Sequence, residues 1–442
     1  MSEWLVVPFG NLAELVRDTV DPADVPNQLY VGLEHIGEGS LRLIGFGTAE
    51  DVSSPKFYFK EGDILFGKLR PYFRKLIRAP FDGICSTDIW VVRPCQGIDR
   101  DFLFYLMASD IFIEPIVRAS TGTRMPRAQW EYAASVKLPY PPLPEQRAIA
   151  RILGALDDKI ELNRRMNETL EQLARALFKA WFVDFEPVRA KQDGRWRRGE
   201  SLPGMPAHLY DLFPDHLVDT EIGEIPEGWE IVKIGDIASV DKGLSYKGEG
   251  LTDRGGLPLV NLGCFGGSGI FKAENLKRYE GQYRERHLVR TGDLVMANTD
   301  ITQNRTVLGS PAIVPEFEGE QLFLFTHHIF AVRFHSAAEP WRRYVYYMLL
   351  QSRFREIAES YATGTTVLAL PKEAILEYLI PLPSEGLRSE FEQIIENIWG
   401  RINTNLCQSR TLAALRDTLL PKLITGELRV REVEKVLEGV VP

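Results

Sequence analysis

The feature that most constrains the fold is that the chain is written twice. At a shift of about 225 to 242 residues, segments of the first half find counterparts in the second, in the same order. VPFGNLA at 7–13 answers VKIGDIA at 232–238, each shortly after a tryptophan (Trp4, Trp229). EGDILFGKLRPYFR at 61–74 answers TGDLVMANTDITQNR at 291–305, and STDIWVVR at 86–93 answers THHIFAVR at 326–333. STGTRMPRAQWEYAASVKLPYPPLP at 120–144 answers ATGTTVLALPKEAILEYLIPLP at 362–383, and a helical pattern follows each. A chain built this way folds as two similar bodies, and 442 residues at 45% hydrophobic content leave room for two cores.

The first part of each copy reads as β-rich, because short runs of Val, Ile, Phe and Tyr alternate with Gly-Asp and Asn-Leu-Gly punctuation. DFLFYLMAS at 101–109 and RRYVYYMLLQS at 342–352 have helical spacing and are expected to pack on a sheet. The second part of each copy changes period. Apolar steps of four and three run through Ile149, Leu153, Leu156, Ile160, Asn163, Asn167, Leu170, Ala174, Leu177 and Trp181. A helix of about 37 residues there would span roughly 55 Å. The second copy keeps the seam at Phe391, Ile395, Ile398, Ile402, Asn405, Ser409, Leu412, Arg416 and Leu419, and one constant shift places Asn405 on Asn163.

A polar Asn in an apolar seam costs stability and fixes register, which suits two helices that pair in one alignment. The alternative is that each stripe faces its own domain. Antiparallel pairing lets each helix carry the chain from one body to the other without a long return. The expected fold is α+β: two similar mixed α/β domains separated by an antiparallel pair of long coiled-coil helices, with a pseudo-two-fold internal repeat. The boundaries read as a first domain over 1–142, a spacer helix over 143–185, a connector over 186–228, a second domain over 229–383, a second spacer helix over 384–426 and a tail over 427–442.

Two similar domains on a spacer of roughly 50 Å suit major grooves about 34 to 36 Å apart, so a two-part DNA target with unlike halves is expected. The net charge of −9 argues against a free-standing DNA binder. That objection weakens where basic residues cluster, as Lys68, Arg70, Arg74 and Lys75 do, and Arg195, Arg197 and Arg198. Base reading needs Arg, Lys, Asn and Gln on loops, supported by hydroxyl and basic phosphate contacts. In the first half the candidates are Lys68, Arg70, Arg74 and Lys75, with Thr121, Gly122, Thr123, Arg124 and Arg127. Their counterparts in the second are Asn298, Thr299, Gln303, Asn304 and Arg305, with Thr363, Gly364, Thr365, Thr366 and Lys372. In the Thr-Gly-Thr element, glycine admits close backbone approach and the hydroxyls suit phosphate oxygens; the plainer reading is a hydroxyl-rich turn.

PLPEQRAIARILGALDDKIELNRRMNETLEQLARALFKAWFVDFEPV at 142–188 resembles the central conserved region of type I restriction-modification DNA specificity subunits. LRDTLLPKLITGELRV at 415–430 is similar to the end of their distal conserved region, and DLFPDHLVDTEIGEIPEGWE at 211–230 to the lead-in of their second target-recognition domain. The resemblance implies two target-recognition domains in a sequence-specific, non-catalytic subunit that binds double-stranded DNA. It implies two partner modification subunits that carry S-adenosylmethionine and methylate adenine. Restriction subunits that use ATP and Mg can join them, and this chain holds no cofactor itself. The helices over 143–181 and 387–423 would form the spacer and much of the docking surface.

Two other classes compete: a scaffold that binds only proteins, and a self-contained DNA-modifying enzyme. Against the enzyme, PYPPL at 139–143 has the letters of an amino-methyltransferase tetrapeptide in the wrong order and reads as rigid extended chain. Gly266-Gly267-Ser268-Gly269 lacks the GK[ST] of a phosphate loop. His327 and His328, read as neighbouring strand residues, point to opposite faces and make no metal site with His335. EVEK at 432–435 lacks an acidic partner for nuclease chemistry. Cys85, Cys95, Cys264 and Cys407 form no CxxC pair, and no stretch reaches the roughly 18 to 20 apolar residues of a membrane span, so a cytoplasmic protein with reduced thiols is expected.

Overall fold

A computed structural model of the chain describes residues 4–120, 125–266, 269, 271–300, 307–317, 319–364 and 367–430. It divides into two compact units, one of Met1–Arg164 with Cys407–Pro442, the other of Arg165–Leu406. The duplication read from the sequence is a duplication of sheets. In the first unit a four-stranded sheet runs in the order Ala13–Val16, Ile89–Pro94, Ile64–Gly67, Leu76–Arg78. In the second the order is Ala238–Lys242, Ile329–Phe334, Leu294–Ala297, Pro311–Ile313. Each copy also pairs its first strand with its last: Leu5–Pro8 with Lys137–Tyr140, and Glu230–Lys233 with Leu379–Leu382, both antiparallel.

A further five-stranded sheet in each unit contains one parallel pair, Leu29–Val31 with Gly83–Cys85 and Leu257–Val260 with Leu322–Phe325. The central strands read as unbroken apolar runs because both of their faces are covered. Ile64 and Phe66 point to the helix Arg100–Ala108, whereas Leu65 packs with Val31, Phe59 and Ile77 of the sheets. The second unit repeats this: Leu294 and Met296 join Tyr344 and Val345 of the helix Arg342–Leu349, and Val295 and Ala297 join Val260 and Phe325.

The turn before each central strand is built identically. Gly62 and Gly292 take φ of 85° and 90°, a left-handed conformation that disfavours any Cβ. The carboxylates of Asp63 and Asp293 accept from the backbone N–H of Lys60 and Arg290, both at 2.8 Å. Both also meet an arginine of the neighbouring strand, Arg93 at 2.7 Å and Arg333 at 3.3 Å.

The long helices are Leu143–Phe182 and Glu385–Thr425. Each contributes one segment to each unit, and in both units the two segments run antiparallel. In the first, Asp157 meets Arg416 at 2.7 Å, and the Asn163 amide donates to Gln408 Oε1 at 2.9 Å and Ser409 Oγ at 3.3 Å. In the second, the Asn405 amide donates to Asn167 Oδ1 at 2.8 Å, and Phe178 packs on Phe391. The seam residues Ile149, Leu153, Leu156, Asn163, Phe391, Ile395, Ile398, Ile402, Asn405 and Leu419 are buried. Ile160, Leu170, Leu177 and Leu412 are half-buried, and beside Leu177 it is Phe178 that is fully enclosed.

The segment 186–228, read as a connector, is part of the second unit's core. Trp196 is 1% exposed, donates from Nε1 to Glu200 O at 2.8 Å, and packs against Tyr210 and Phe213. Its basic run is largely neutralised, since Arg195 pairs with Glu186 and Asp193, and Arg198 with Asp211. Among the described residues no helix is long and apolar enough to cross a membrane.

Candidate nucleic-acid interface

The loop that follows each central strand is held by the same set of backbone hydrogen bonds. In the first copy the Lys68 N–H donates to Asp88 O at 2.9 Å, and the Lys68 carbonyl accepts from Ala128 N–H at 2.8 Å. In the second the Asn298 N–H donates to His328 O at 2.9 Å, and the Asn298 carbonyl accepts from Leu370 N–H at 2.8 Å. One residue on, Leu69 bridges Arg127 as Thr299 bridges Ala369. Three segments far apart in sequence therefore meet at one point of each copy, and they are the three segments that the repeat had paired.

On this common frame the side chains differ. In the first copy Arg127 donates from Nε and Nη2 to the two carboxylate oxygens of Asp88, at 3.0 and 3.4 Å. Those hydrogen bonds, and then the nearby negative charge, raise the Arg127 pKa further. In the second, Ala369 stands in place of the arginine, and His328 in place of the aspartate bonds through Nδ1 with Thr299 Oγ1 at 2.9 Å. Burial, then the neighbouring His327 and Lys242, push the His328 pKa below its ordinary value.

His327 and His328 lie in a turn with ring centroids 3.8 Å apart, not on opposite faces of a strand as their spacing had suggested. The turn is the one that crosses between the two sheets, and the Asn298 amide caps its carbonyl at His327 O, 3.1 Å away. No group of three His, Cys, Asp or Glu suited to a metal occurs among the described residues.

The other sequence candidates are placed as follows. Arg70 and Arg74 flank the short helix Pro71–Phe73 with φ of 52° and 50°, a conformation that costs non-glycine residues energy and concentrates at functional loops. Arg74 pairs with Asp110 at 2.6 Å and Arg70 lies over the Phe73 ring. Lys75 turns inward: its ammonium donates to Leu33 O at 2.8 Å and its side chain is 15% exposed. Asn298 and Thr299 are likewise buried, at 2% and 8%, with their polar groups satisfied inside the unit. Lys68 is half-buried, and Thr363, Gly364 and Lys372 are exposed. Thr121, Gly122, Thr123, Arg124, Gln303, Asn304, Arg305, Thr365 and Thr366 lie outside the described residues. Sequence reasoning passed over Asp88, and also Tyr72 and Met125, which are exposed next to these loops. The signal for Asp88 was present, since it occupies a repeat position opposite His328.

The model of the type I restriction modification DNA specificity domain matches residues 1–172. The type I restriction enzyme MjaIX specificity subunit of Methanocaldococcus jannaschii is 29% identical over 350 residues, 77% of this chain and 72% of that protein. The HindI specificity subunit of Haemophilus influenzae is 24% identical over 480 residues, 97% of this chain and 100% of that protein. The chain is similar to type I restriction enzyme specificity subunits over most of its length, and its first 172 residues match their DNA specificity domain. The chain has the α+β fold read above, a repeated unit with long helices. The crystal structure of the type I restriction-modification S subunit from M. genitalium overlays it with TM-score 0.49 at 16% identity, over 96% of each chain.

Proposed function

We propose that this chain is a specificity subunit that reads a two-part, asymmetric double-stranded DNA target, one part with each copy, and directs adenine methylation by partner modification subunits. The observation that carries this reading is the pair of matching backbone knots bearing unlike side chains. Equal frames present equivalent loops, and unlike side chains on them select unlike bases. Lys68, Arg70, Arg74, Arg127 and the Thr-Gly-Thr segment at 121–123 serve the first part. Gln303, Asn304, Arg305, Thr363, Gly364, Thr365, Thr366 and Lys372 serve the second. Lys75, Asn298 and Thr299 support these loops from within.

The chain itself performs no chemistry in this proposal. S-adenosylmethionine belongs to two modification subunits, and ATP and Mg to restriction subunits where these join. The long helices provide docking surface, and acidic faces turned toward partners account for the net charge.

The test is selection from a randomised duplex library by the complex of this chain with its modification subunit, at several salt concentrations. Enrichment of one split sequence, with affinity falling as salt rises, is expected. Library members retained without sequence preference, by a complex that assembles normally, would favour the protein scaffold.

A further inference from the structure

Resting on the reading that the first copy reads DNA, we propose that Arg127 contacts a guanine in the major groove and that Asp88 is the positioning residue that aims it. The Asp88 carboxylate takes Nε and Nη2 of Arg127. It thereby occupies the side edge of the planar fork and leaves the Nη1/Nη2 end edge directed away from itself. That end edge donates two parallel hydrogen bonds, the pattern that O6 and N7 of guanine accept. The Arg127 side chain is 45% exposed and that of Asp88 28%, so the brace lies on the inner side and the fork on the outer. Among the described residues, Asp88 is the group that the guanidinium bonds.

Both members are fixed from below. The Asp88 N–H donates to Ser86 Oγ at 3.2 Å and its carbonyl accepts from Lys68, directly before the buried strand Ile89–Pro94. Arg127 is bracketed by two backbone bonds, Arg70 N–H to Pro126 O at 2.7 Å and Ala128 N–H to Lys68 O at 2.8 Å. An ion pair this exposed adds little to stability. What it does provide is a long, rotamer-rich side chain ordered before DNA arrives, which lowers the entropic cost of a bidentate contact. At the equivalent two places the second copy carries Ala369 and His328, so this braced fork is not repeated there on the same frame. The guanine contact assigned to this pair therefore falls in the half of the target read by the first copy.

The experiment uses the complex of the full chain with its modification subunit and duplexes of its selected target. Each guanine is replaced in turn by 7-deazaguanine, which lacks the N7 acceptor. For the wild-type chain, one guanine in the half read by the first copy is expected to weaken binding about 10-fold when replaced. Arg127→Lys keeps the charge and loses the fork. It should bind the unmodified duplex more weakly by a similar factor, become indifferent to replacement at that one position, and keep the salt slope. Asp88→Asn should weaken the same single preference.

A phosphate-contacting Arg127 would leave the Arg127→Lys complex with the full 7-deazaguanine penalty, which overturns the assignment. A merely structural pair would lower the melting temperature of Asp88→Asn and Arg127→Ala with base preference intact, and this too overturns it. A half-site without guanine does the same. If the wild-type complex itself shows no sequence selectivity, the DNA-reading function fails, and the assignment fails with it.

Discussion

Asp157 ties three elements of the first unit together, and its replacement gives a sharp prediction. Its carboxylate accepts from Tyr105 Oη at 2.6 Å and from Arg416 Nη1 at 2.7 Å, so the helix Arg100–Ala108 and both long helices meet at one charge. The Arg416 side chain is only 9% exposed. Removing one partner of a buried pair costs about 3 to 5 kcal/mol, because the surviving charge stays desolvated. Arg416 retains Asp417 at 2.8 Å, which moves the expectation for Asp157→Asn to the lower end, about 3 kcal/mol.

Read as hydrogen exchange of backbone amides, 3 kcal/mol corresponds to roughly 100-fold faster exchange in Arg100–Ala108 and in the first half of Leu143–Phe182. Removing both charges, as Asp157→Asn with Arg416→Met, should recover much of the loss, giving a coupling of about 2 kcal/mol. Unchanged exchange in those helices, or a double variant as unstable as the sum of the single ones, would refute this account of the network.

Asn405→Leu alone should destabilise by about 1 to 3 kcal/mol, since it strips Asn167 Oδ1 of a buried donor, and adding Asn167→Leu should recover most of that in a denaturation series. Lys75→Ala should lower the melting temperature without changing the salt slope of DNA binding, whereas Lys68→Ala should reduce that slope by about one; the reverse pattern would show Lys75 facing phosphate. Burial raises the pKa of Tyr344 and Tyr346, and that of Tyr347 is pushed up to about 12. A raised tyrosine contributes stability that is complete below its unfolded pKa near 10 and is lost as pH climbs toward the folded value. Tyr347 alone should therefore cost about 2 kcal/mol between pH 10 and 12. Ultraviolet titration should show these phenols ionising only as the second unit unfolds; reversible ionisation near pH 10 would contradict their enclosure.

The sequence made the sheets legible because their strands recur as matched segments, and matching forces matched hydrogen bonding. Lys68 with Asp88 and Ala128 repeats as Asn298 with His328 and Leu370, so aligned letters became aligned backbone bonds. The helix seam was legible in its apolar positions but drifted in phase. Strict 4-3 spacing selects Leu177, whereas a helix of 3.6 residues per turn, packed beside Phe391 and Tyr344, brings Phe178 inward.

Direction was harder to read for long cations. Lys75 and Arg74 share a basic cluster in the sequence, yet a carbonyl at Leu33 draws one inward and Asp110 holds the other at the surface. The Trp196 core was missed because Gly- and Pro-rich chain gives no periodicity, although a lone tryptophan among charged residues was a hint of burial. The turn geometry of His327 and His328 depends on where a strand breaks, which the apolar pattern on either side does not mark.

The central claim is that this chain supplies the sequence preference for partner-catalysed methylation. Co-expressing it with its modification subunit and mapping methylated adenines by long-read sequencing tests that most directly. A split, asymmetric motif that appears only when both chains are present, and changes in one half alone when Gln303, Asn304 and Arg305 are exchanged, is the predicted result. Methylation absent, or indifferent to this chain, from a complex that assembles and holds S-adenosylmethionine would contradict it.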